Sequence, residues 1–363
     1  MEPTDYTDNL EQTQESAERP RQLDKGELVP AEALVRELQA AIENIPEGDL
    51  AWQIAETAIK LLRDQTNRGD VKLITKAVKE LRYALKIFTP YRAVRKVSIF
   101  GSARTAETHP DYRQAETFAK TMVEKGWMVI TGAGGGIMAA GHGGAGADPS
   151  FGLGIRLPFE QKSNPTIAAD KKLINFKYFF TRKLMFVRAA NAIALFPGGF
   201  GTMDEGFEVL TLIQTGKCIP MPVVLVDSPG GTYWKNWGQF VERELLGRDL
   251  ISKEDLVLYT ITDDLDRAVH EVTHFYTNFH SIRYFRDDLI IRLQHRPTAA
   301  QVAAIERDFS DIKISGAFQA TTALPVEKDE PDLAELHRLV FAFNRRDQGR
   351  LRMLINRLND MEG

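Results

Sequence analysis

The sequence predicts an α/β protein built around a doubly wound, Rossmann-like parallel sheet, with a helical region before it and an α+β extension after it. Six short runs are apolar at nearly every position: Val97–Gly101, Trp127–Thr131, Gly152–Leu157, Leu173–Phe176, Ala192–Phe196 and Val223–Val226. Segments of helix length lie between them, including Tyr112–Lys125, Phe179–Ala190 and Thr202–Thr215. Strands that are apolar on both faces and alternate with helices are typical of a parallel sheet covered on both sides.

The chain before the sheet divides into a tail and a helical region. The first 30 residues carry eight acidic and three basic side chains without a hydrophobic period, so residues 1–29 are predicted to form a disordered acidic tail. From residue 30 to residue 92, apolar residues recur at spacings of three and four, which predicts helices. One of them is predicted over Val71–Ile87 and ends before Pro90.

The sheet domain is predicted over residues 93–281 and the extension over residues 282–363. In the extension, the pattern predicts a strand at Leu289–Leu293, a helix from Thr298, a hairpin around Ile312–Thr322 and two helices after Pro331. Six arginines enrich the predicted C-terminal helices: Arg338, Arg345, Arg346, Arg350, Arg352 and Arg357. They indicate either a solvated or subunit-pairing face or a site for an anionic effector, and the sequence leaves both open.

Composition and charge argue against several classes of protein. The 363 residues are 43% hydrophobic and 26% charged, with a net charge of −4 and a pI near 6.0, so the strongly basic face of a nucleic-acid binder is missing. No apolar run reaches the ~18 residues of a membrane span, and the N-terminus lacks a basic-then-apolar signal segment. The single cysteine, Cys218, excludes an internal disulfide and a multi-cysteine zinc site. We therefore expect a cytoplasmic protein without a nucleic-acid or membrane partner.

Four loops follow predicted strands at the edge where such sheets bind ligands. They are Gly101–Arg104, Thr131–Gly136, Tyr178–Lys183 and Pro197–Thr202. The second and fourth are rich in glycine, so backbone N–H groups can approach an anion that also gains from the dipole of the following helix. The pattern favours a phosphate-bearing ligand over glycines that only make tight turns. The second loop does not fit the dinucleotide fingerprint, because it follows the second strand and no acidic residue ends the next strand.

One of these loops belongs to a longer motif. Pro197–Glu205 reads PGGFGTMDE and resembles the PGGxGTxxE signature of the LOG family, the cytokinin riboside 5′-monophosphate phosphoribohydrolases, which are also described as lysine decarboxylase-like. The pair Arg182-Lys183 matches the family's second signature. The segments Gly101–Arg104 and Leu157–Pro165 are similar to the longer bacterial members, and the resemblance extends over residues 75–281.

Two positions depart from the family pattern. Thr181 stands where the short members usually have an acidic residue. The glycine loop, Gly132–Gly136, reads GAGGG rather than GGGxxG.

The resemblance implies an enzyme that hydrolyses the N-glycosidic bond of a nucleoside 5′-monophosphate to free base and ribose 5-phosphate, and that forms a homo-oligomer. It implies catalytic roles for Arg182 and Glu205, and we expect no cofactor and no metal. The substrate contacts that it implies are Ser102, Gly134, Gly135, Gly136, Lys183, Gly198, Gly199, Gly201 and Thr202. The alternative is a non-catalytic nucleotide or molybdenum-cofactor carrier on the same fold, which would need neither Arg182 nor Glu205.

Two motifs also allow a purely structural interpretation. Thr202–Glu205 has the form of a capping box, in which the threonine would be the N-cap and the glutamate would only bind its backbone N–H. His270–His274 matches the zinc motif HExxH, with His280 as a third ligand. A helical wheel, however, places both histidines of the motif opposite the apolar face, and Thr277 stands where the extended motif needs glycine. This pattern predicts solvated histidines rather than a metal site.

Overall fold

The computed structural model describes residues 45–155 and 163–361, together with Arg36, Glu37, Gln39, Ala40 and Ile42. The predicted tail at residues 1–29 and most of the family-like segment Leu157–Pro165 lie outside the described residues. The chain divides into two compact units, residues 1–75 and residues 76–363. In the part of the chain that is described, no helix is long and apolar enough to cross a lipid bilayer.

Two helices lead into the sheet domain. Helix α1 (Gly48–Arg63) lies in the first unit, and helix α2 (Arg68–Phe88) begins there and continues into the second. Helix α2 is the helix that the apolar spacing predicts over Val71–Ile87.

A seven-stranded sheet organises the second unit, and all its neighbouring strands run parallel. The strands are β1 (Lys96–Phe100), β2 (Met128–Thr131), β3 (Ser150–Ile155), β4 (Leu173–Phe176), β5 (Ala192–Leu195), β6 (Val223–Val226) and β7 (Thr260–Thr262). The six predicted strands are present, which confirms the doubly wound, Rossmann-like sheet. The pattern does not predict β7, because threonines flank its one apolar residue, Ile261, and only Thr262 is buried.

Helices cover both faces of this sheet. On one face, α3 (Pro110–Glu124), α4 (Ile137–Ala145) and α8 (Leu265–His274) form a core with β1 side chains such as Ile99. On the other face, α5 (Phe179–Arg188), α6 (Phe200–Gln214), α7 (Tyr233–Phe240) and the end of α2 form a core that contains Phe100. Because side chains alternate along a strand, strands that are apolar throughout supply both cores.

The order of the strands locates a crevice. Across the sheet the order is β4-β3-β2-β1-β5-β6-β7, so the chain moves outward from β1 to β4 and then returns to place β5 on the other side of β1. Loops that leave β1 and β5 turn in opposite directions, which opens a crevice beyond the carboxyl ends of these two strands. The predicted loop segments after β1 and β5 are Gly101–Arg104 and Pro197–Thr202, and the second of them includes the first turn of α6.

The C-terminal extension forms a second, antiparallel sheet in the order β10-β11-β9-β8. Its elements are β8 (Phe279–Phe285), β9 (Asp288–Leu293), α9 (Ala299–Phe309), β10 (Lys313–Thr321), β11 (His337–Phe343) and α10 (Gln348–Asn359). The two helices cover one face of the sheet, where they pack against Leu289, Ile291 and Leu293 of β9. The predicted strand at Leu289–Leu293 and the predicted helix from Thr298 are both present.

Two predictions for the extension are wrong. The predicted hairpin at Ile312–Thr322 is the single strand β10, in which Gly316 at φ +70° accompanies an irregular register with β11. The first helix predicted after Pro331 is the strand β11. Leucines and phenylalanines spaced by three and four residues imitate a helix there, but Leu339, Phe341 and Phe343 alternate inward as in a strand.

The C-terminal arginines do not share one face. Arg338 is fully buried on β11 and bonded to Glu327 at 3.0 Å. Arg352 is buried on α10, where it donates to the carbonyl oxygen of Met221 at 3.1 Å and pairs with Glu271 at 2.5 Å. For these two, the predictions of a solvated face and of an effector site are wrong, because each guanidinium is used inside the fold.

Candidate active site

Three of the predicted loops meet at the crevice between β1 and β5. The backbone N–H of Ser102 donates to the carbonyl oxygen of Pro197 at 3.1 Å. The carbonyl oxygen of Ser102 accepts from the N–H of Ile137 at 3.0 Å. The loop after β1 therefore touches both glycine-rich loops, and the candidate residues Ser102, Gly136 and Gly198 lie together.

Two glycines make this approach possible. Gly136 has φ +59°, and a Cβ there would lie 2.2 Å from the carbonyl oxygen of Ser102. A Cβ on Gly198 would lie 2.1 Å from Thr202 Oγ1 and 3.0 Å from the backbone nitrogen of Ser102. At Gly199 and Gly201 a Cβ would meet open space, so these two glycines leave the loop accessible rather than tightly packed.

The alanine of GAGGG adopts a backbone conformation that favours glycine. Ala133 has φ +66° and is buried, and its N–H donates to Thr131 Oγ1 at 3.1 Å. The backbone N–H of Asn164 donates to the carbonyl oxygen of Ala133 at 2.8 Å, and its side-chain amide donates to that of Gly134 at 3.0 Å. A left-handed alanine costs roughly 1–2 kcal/mol, and these bonds hold the loop in that conformation.

Helix α6 begins two residues earlier than the sequence predicts. Its N-cap is Gly199, no side chain caps it, and the N–H groups of Thr202 and Met203 both donate to the carbonyl oxygen of Gly199 at 3.1 Å. Thr202 is therefore the third residue of the helix and cannot be its N-cap. The alternative interpretation of Thr202–Glu205 as a capping box is therefore wrong, and Glu205 needs another explanation.

Glu205 is a buried carboxylate without a hydrogen-bond partner for one oxygen. Its side chain is 6% exposed, and Oε2 has no partner among the described residues. Burial raises the pKa of Glu205 to about 7, although the positive charges of Lys183 and Arg182 oppose the shift. An unpaired buried carboxylate costs stability, so its presence points to a function.

Arg182 lies against the glycine loop and interacts electrostatically with Glu205. Its Nε donates to the carbonyl oxygen of Leu153 at 2.7 Å, and its guanidinium lies 5.0 Å above the ring of Phe186. A Cβ on Gly132 would lie 2.5 Å from Nη2, so the glycine loop leaves room for this arginine. Burial lowers the pKa of Arg182, and the charge of Glu205 counteracts that effect. The structure thus brings the two predicted catalytic residues into electrostatic contact.

The family model described as "possible lysine decarboxylase" matches residues 133–272. Residues 133–272, called the lysine decarboxylase-like domain below, are therefore similar to this family. The match confirms the resemblance that the PGGFGTMDE motif indicates. The lysine decarboxylase-like domain includes Arg182, Lys183 and the loop Pro197–Thr202, whereas Ser102 precedes it.

Solved structures similar to the chain share about half of it. The molybdenum cofactor carrier protein of Chlamydomonas reinhardtii is 20% identical over 50% of this chain and 96% of its own, with a TM-score of 0.35. The molybdenum cofactor binding protein of Rippkaea orientalis is 19% identical over 50% of this chain and 94% of its own, with a TM-score of 0.34. DNA processing protein A of Helicobacter pylori is 11% identical over 49% of this chain and 80% of its own, with a TM-score of 0.34. Matches this distant assign no function, and a search of curated proteins found no significant match.

Within the lysine decarboxylase-like domain, Lys183 faces α6 rather than the crevice loops. Its Nζ pairs with Asp204 at 2.9 Å and with Glu208 at 2.5 Å. Although burial opposes it, hydrogen bonds to Glu208 and Asp204 raise the pKa of Lys183. The structure therefore gives this ammonium two carboxylate partners, and its contact with substrate stays a prediction.

The sequence analysis missed two side chains that hold the site. The hydroxyl of Tyr233, at the start of α7, donates to the carbonyl oxygen of Gly198 at 2.5 Å. Glu80 on α2 accepts hydrogen bonds at the start of α5. Neither belongs to a motif, and Glu80 lies about a hundred residues before its partners, so no local pattern could have indicated them.

The histidines of the HExxH motif lie apart from the site. His270 is exposed on α8, His274 Nε2 lies 2.8 Å from Asp360 Oδ1, and His280 belongs to β8 rather than to the helix. Among the residues that the structure describes, no group of three or more histidine, cysteine or acidic side chains could hold a metal ion.

We predict that replacing both His270 and His274 with alanine leaves activity within about twofold of the wild type, because neither side chain approaches the crevice. Any activity of the crevice should also survive dialysis against EDTA. A loss of activity that zinc restores would contradict this prediction.

Proposed function

We propose that the protein hydrolyses the N-glycosidic bond of a nucleoside 5′-monophosphate, releasing the free base and ribose 5-phosphate. The observation that carries this proposal is the buried carboxylate of Glu205, which has an unpaired oxygen and interacts with Arg182 beside the uncapped start of α6. A carrier protein has no need of a buried carboxylate with a pKa near neutrality.

The start of α6 is the best site for the 5′-phosphate. Helices α4, α5, α6 and α7 begin near the crevice, and their N-terminal N–H groups attract anions. At the start of α7, the N–H of Trp234 donates to the carboxylate of Asp227 at 3.0 Å. The start of α5 is occupied by the carboxylate of Glu80, and the first N–H of α4, on Ile137, donates to Ser102. Helix α6 has no side-chain cap, and Gly199 and Gly201 leave its first turn open.

Glu205 suits the chemistry at C1′. As the bond between C1′ and the base nitrogen breaks, the sugar becomes oxocarbenium-like and carries positive charge, which a nearby carboxylate stabilises. The same carboxylate can accept a proton from the water that forms the new C1′–oxygen bond, and a pKa of about 7 lets it pass that proton on to the departing base. The planar guanidinium of Arg182, which stays charged, suits the phosphate or the charge that develops on the leaving base.

Lysine decarboxylation has less support. A Schiff base requires a neutral lysine amine, but Lys183 is held as an ammonium by Asp204 and Glu208. Burial lowers the pKa of Lys96 to about 8, but Lys96 starts β1, at the edge of the sheet opposite the crevice, and donates to the carbonyl oxygens of Tyr91 and Val94.

We predict that the enzyme selects substrates by their phosphate. Adenosine 5′-monophosphate should be cleaved with a kcat/KM roughly tenfold to a hundredfold above that of adenosine, because a charged phosphate contact contributes about 1.5–3 kcal/mol. Chromatography of released adenine measures both rates, and pyrimidine and N6-isopentenyl nucleotides identify the preferred base. Equal turnover of nucleotide and nucleoside would contradict the phosphate site. Tight nucleotide binding without base release would instead favour the carrier alternative.

We also propose that the chain forms a homo-oligomer through the surface around α5. Phe179, Phe180 and Leu184 on this helix are each about half exposed, and Phe200 at the start of α6 is 95% exposed. Large apolar side chains that are exposed close together on one helix are typical of interaction surfaces. Light scattering should give a mass of at least twice 40.8 kDa, and replacing Phe179 and Phe180 with serine should lower it. A mass near 40.8 kDa at micromolar concentration would contradict this proposal.

A further inference from the structure

Helix α2 places a carboxylate against the start of α5. Glu80 is 6% exposed, and its Oε1 accepts from the backbone N–H of Lys177 at 2.8 Å. Its Oε2 accepts from the hydroxyl of Thr181 at 2.7 Å. Thr181 is fully buried, and its hydroxyl also lies 3.0 Å from the carbonyl oxygen of Tyr178. Both oxygens of this buried carboxylate are therefore used.

These bonds supply a cap that the local sequence lacks. The N-cap residue of α5 is Tyr178, whose side chain makes no capping hydrogen bond. A carboxylate at a helix N-terminus satisfies free N–H groups and interacts favourably with the helix dipole. Glu80 supplies such a carboxylate from a helix that precedes the whole parallel sheet, and it binds the N–H of Lys177, just before the N-cap, and the hydroxyl of Thr181.

The capped turn is the one that carries Arg182. Thr181 directly precedes Arg182, whose Nε is fixed at 2.7 Å from the carbonyl oxygen of Leu153 on β3. The turn is thus held at one side by Glu80 and at the other by β3. If the bond to Glu80 is lost, the turn that carries Arg182 loses one of its two supports, and the bond to Leu153 no longer holds the guanidinium against a fixed helix start.

We propose that Glu80 and Thr181 form a positioning pair that holds the first turn of α5 so that Arg182 faces Glu205. The effect on turnover rests on the proposed function, whereas the effect on Arg182 and Glu205 does not. Glu80 touches neither Arg182 nor Glu205 and acts through the helix.

A matched pair of variants tests this role. Thr181→Val removes the hydroxyl and keeps the branched shape, whereas Thr181→Ser keeps the hydroxyl. Thr181→Val should lower kcat about tenfold and leave KM within about twofold, because the start of α6 is unchanged. Thr181→Ser should restore kcat to within about twofold of the wild type. Equal kcat values for the valine and serine variants would overturn the proposal.

A double-mutant cycle shows whether the pair acts through Arg182. In an Arg182→Lys background, Thr181→Val should have little further effect on kcat, because the group that it positions is already altered. If the fold-changes in kcat caused by Thr181→Val and Arg182→Lys multiply in the double variant, the two residues act independently and the proposal is overturned. If Thr181→Val does not fold, Glu80→Gln takes its place, since the glutamine oxygen still accepts from Lys177 while the negative charge is lost.

The titration of Glu205 tests the proposal without any nucleotide. The charged groups that act on Glu205 are Lys183 and Arg182, which lower its pKa, and Glu208 and Asp204, which raise it. A displaced Arg182 should raise the pKa of Glu205 further. The pKa is obtained from the pH dependence of unfolding of each protein relative to the same protein with Glu205→Gln.

This titration separates the two proposals. An upward shift in Thr181→Val but not in Thr181→Ser supports the positioning pair, even if no nucleotide is hydrolysed and the proposed function fails. An unchanged titration overturns the positioning pair, even if the nucleotide is hydrolysed.

Discussion

Replacing Glu205 with glutamine should lower the turnover of a nucleoside 5′-monophosphate by roughly two to four orders of magnitude, the usual effect of losing a charge-stabilising or acid–base group. Glutamine keeps the size of the side chain but can neither balance the charge at C1′ nor accept a proton from water. Nucleotide binding should persist, because the loop Pro197–Thr202 is unchanged. Base release at saturating nucleotide and a separate binding measurement check these two expectations.

A neighbouring glutamate provides the matched control. Glu208 lies on the same helix and pairs with Lys183, but it does not interact with Arg182 in the way that Glu205 does. Glu208→Gln removes a carboxylate of the same type from the same helix, and the turnover of this variant should stay within about tenfold of the wild type. If Glu205→Gln turns over nucleotide at the wild-type rate, the catalytic assignment of Glu205 is wrong.

Glu205→Gln should also be more stable than the wild type at neutral and alkaline pH. The pKa of Glu205 rises from its ordinary value of 4.5 to about 7 on folding, so ionisation favours the unfolded chain. Relative to Glu205→Gln, the free energy of unfolding of the wild type should fall as the pH rises from about 4.5 to about 7, by roughly 3 kcal/mol, and then stay constant. Denaturant unfolding of both proteins at pH 5 and pH 8 measures this difference.

Much of the fold follows from local patterns in the sequence. The strands of the parallel sheet are apolar on both faces, so their positions and the doubly wound arrangement are predictable without knowledge of their neighbours. The antiparallel extension is harder, because β11 carries apolar residues on both faces and its spacing also fits a helix. Pairing with β9 and β10 decides between the two, and such pairing is not visible in a local window.

The site shows the same division between local and long-range information. The loops after β1, β2 and β5 could be placed at one edge from topology alone, because the carboxyl ends of parallel strands share an edge. The first residue of α6 could not be predicted in this way. Its N-cap, Gly199, has no side chain, whereas Thr202 is of a type that often caps helices. The burial of Glu205 and the bond from Tyr233 to Gly198 depend on elements that meet only in the folded chain.

The largest expected loss of stability at the site comes from replacing Gly136 with alanine. Gly136 is the N-cap of α4 at φ +59°, and a Cβ there would lie 2.2 Å from the carbonyl oxygen of Ser102 and 2.6 Å from the carbonyl carbon of Ala103. This backbone conformation, with φ +59° and ψ −132°, is one that essentially only glycine adopts and costs alanine about 1–3 kcal/mol, and an overlap with backbone adds about 1–3 kcal/mol. We therefore expect Gly136→Ala to lower the free energy of unfolding by about 2–6 kcal/mol and to separate the loops that form the crevice.

Gly146 at the other end of α4 isolates the steric part of this effect. It has φ +80° and ψ 172°, but a Cβ there would meet nothing within 4 Å, so Gly146→Ala should cost only the conformational free energy of about 1–3 kcal/mol. Denaturant unfolding gives both losses, and nucleotide binding should weaken in Gly136→Ala alone, because only that substitution displaces Ser102. Suppose that both variants lose the same free energy of unfolding and still bind nucleotide. The Ser102 loop would then move aside without a loss of stability, and the close approach of the two loops would not be needed for binding.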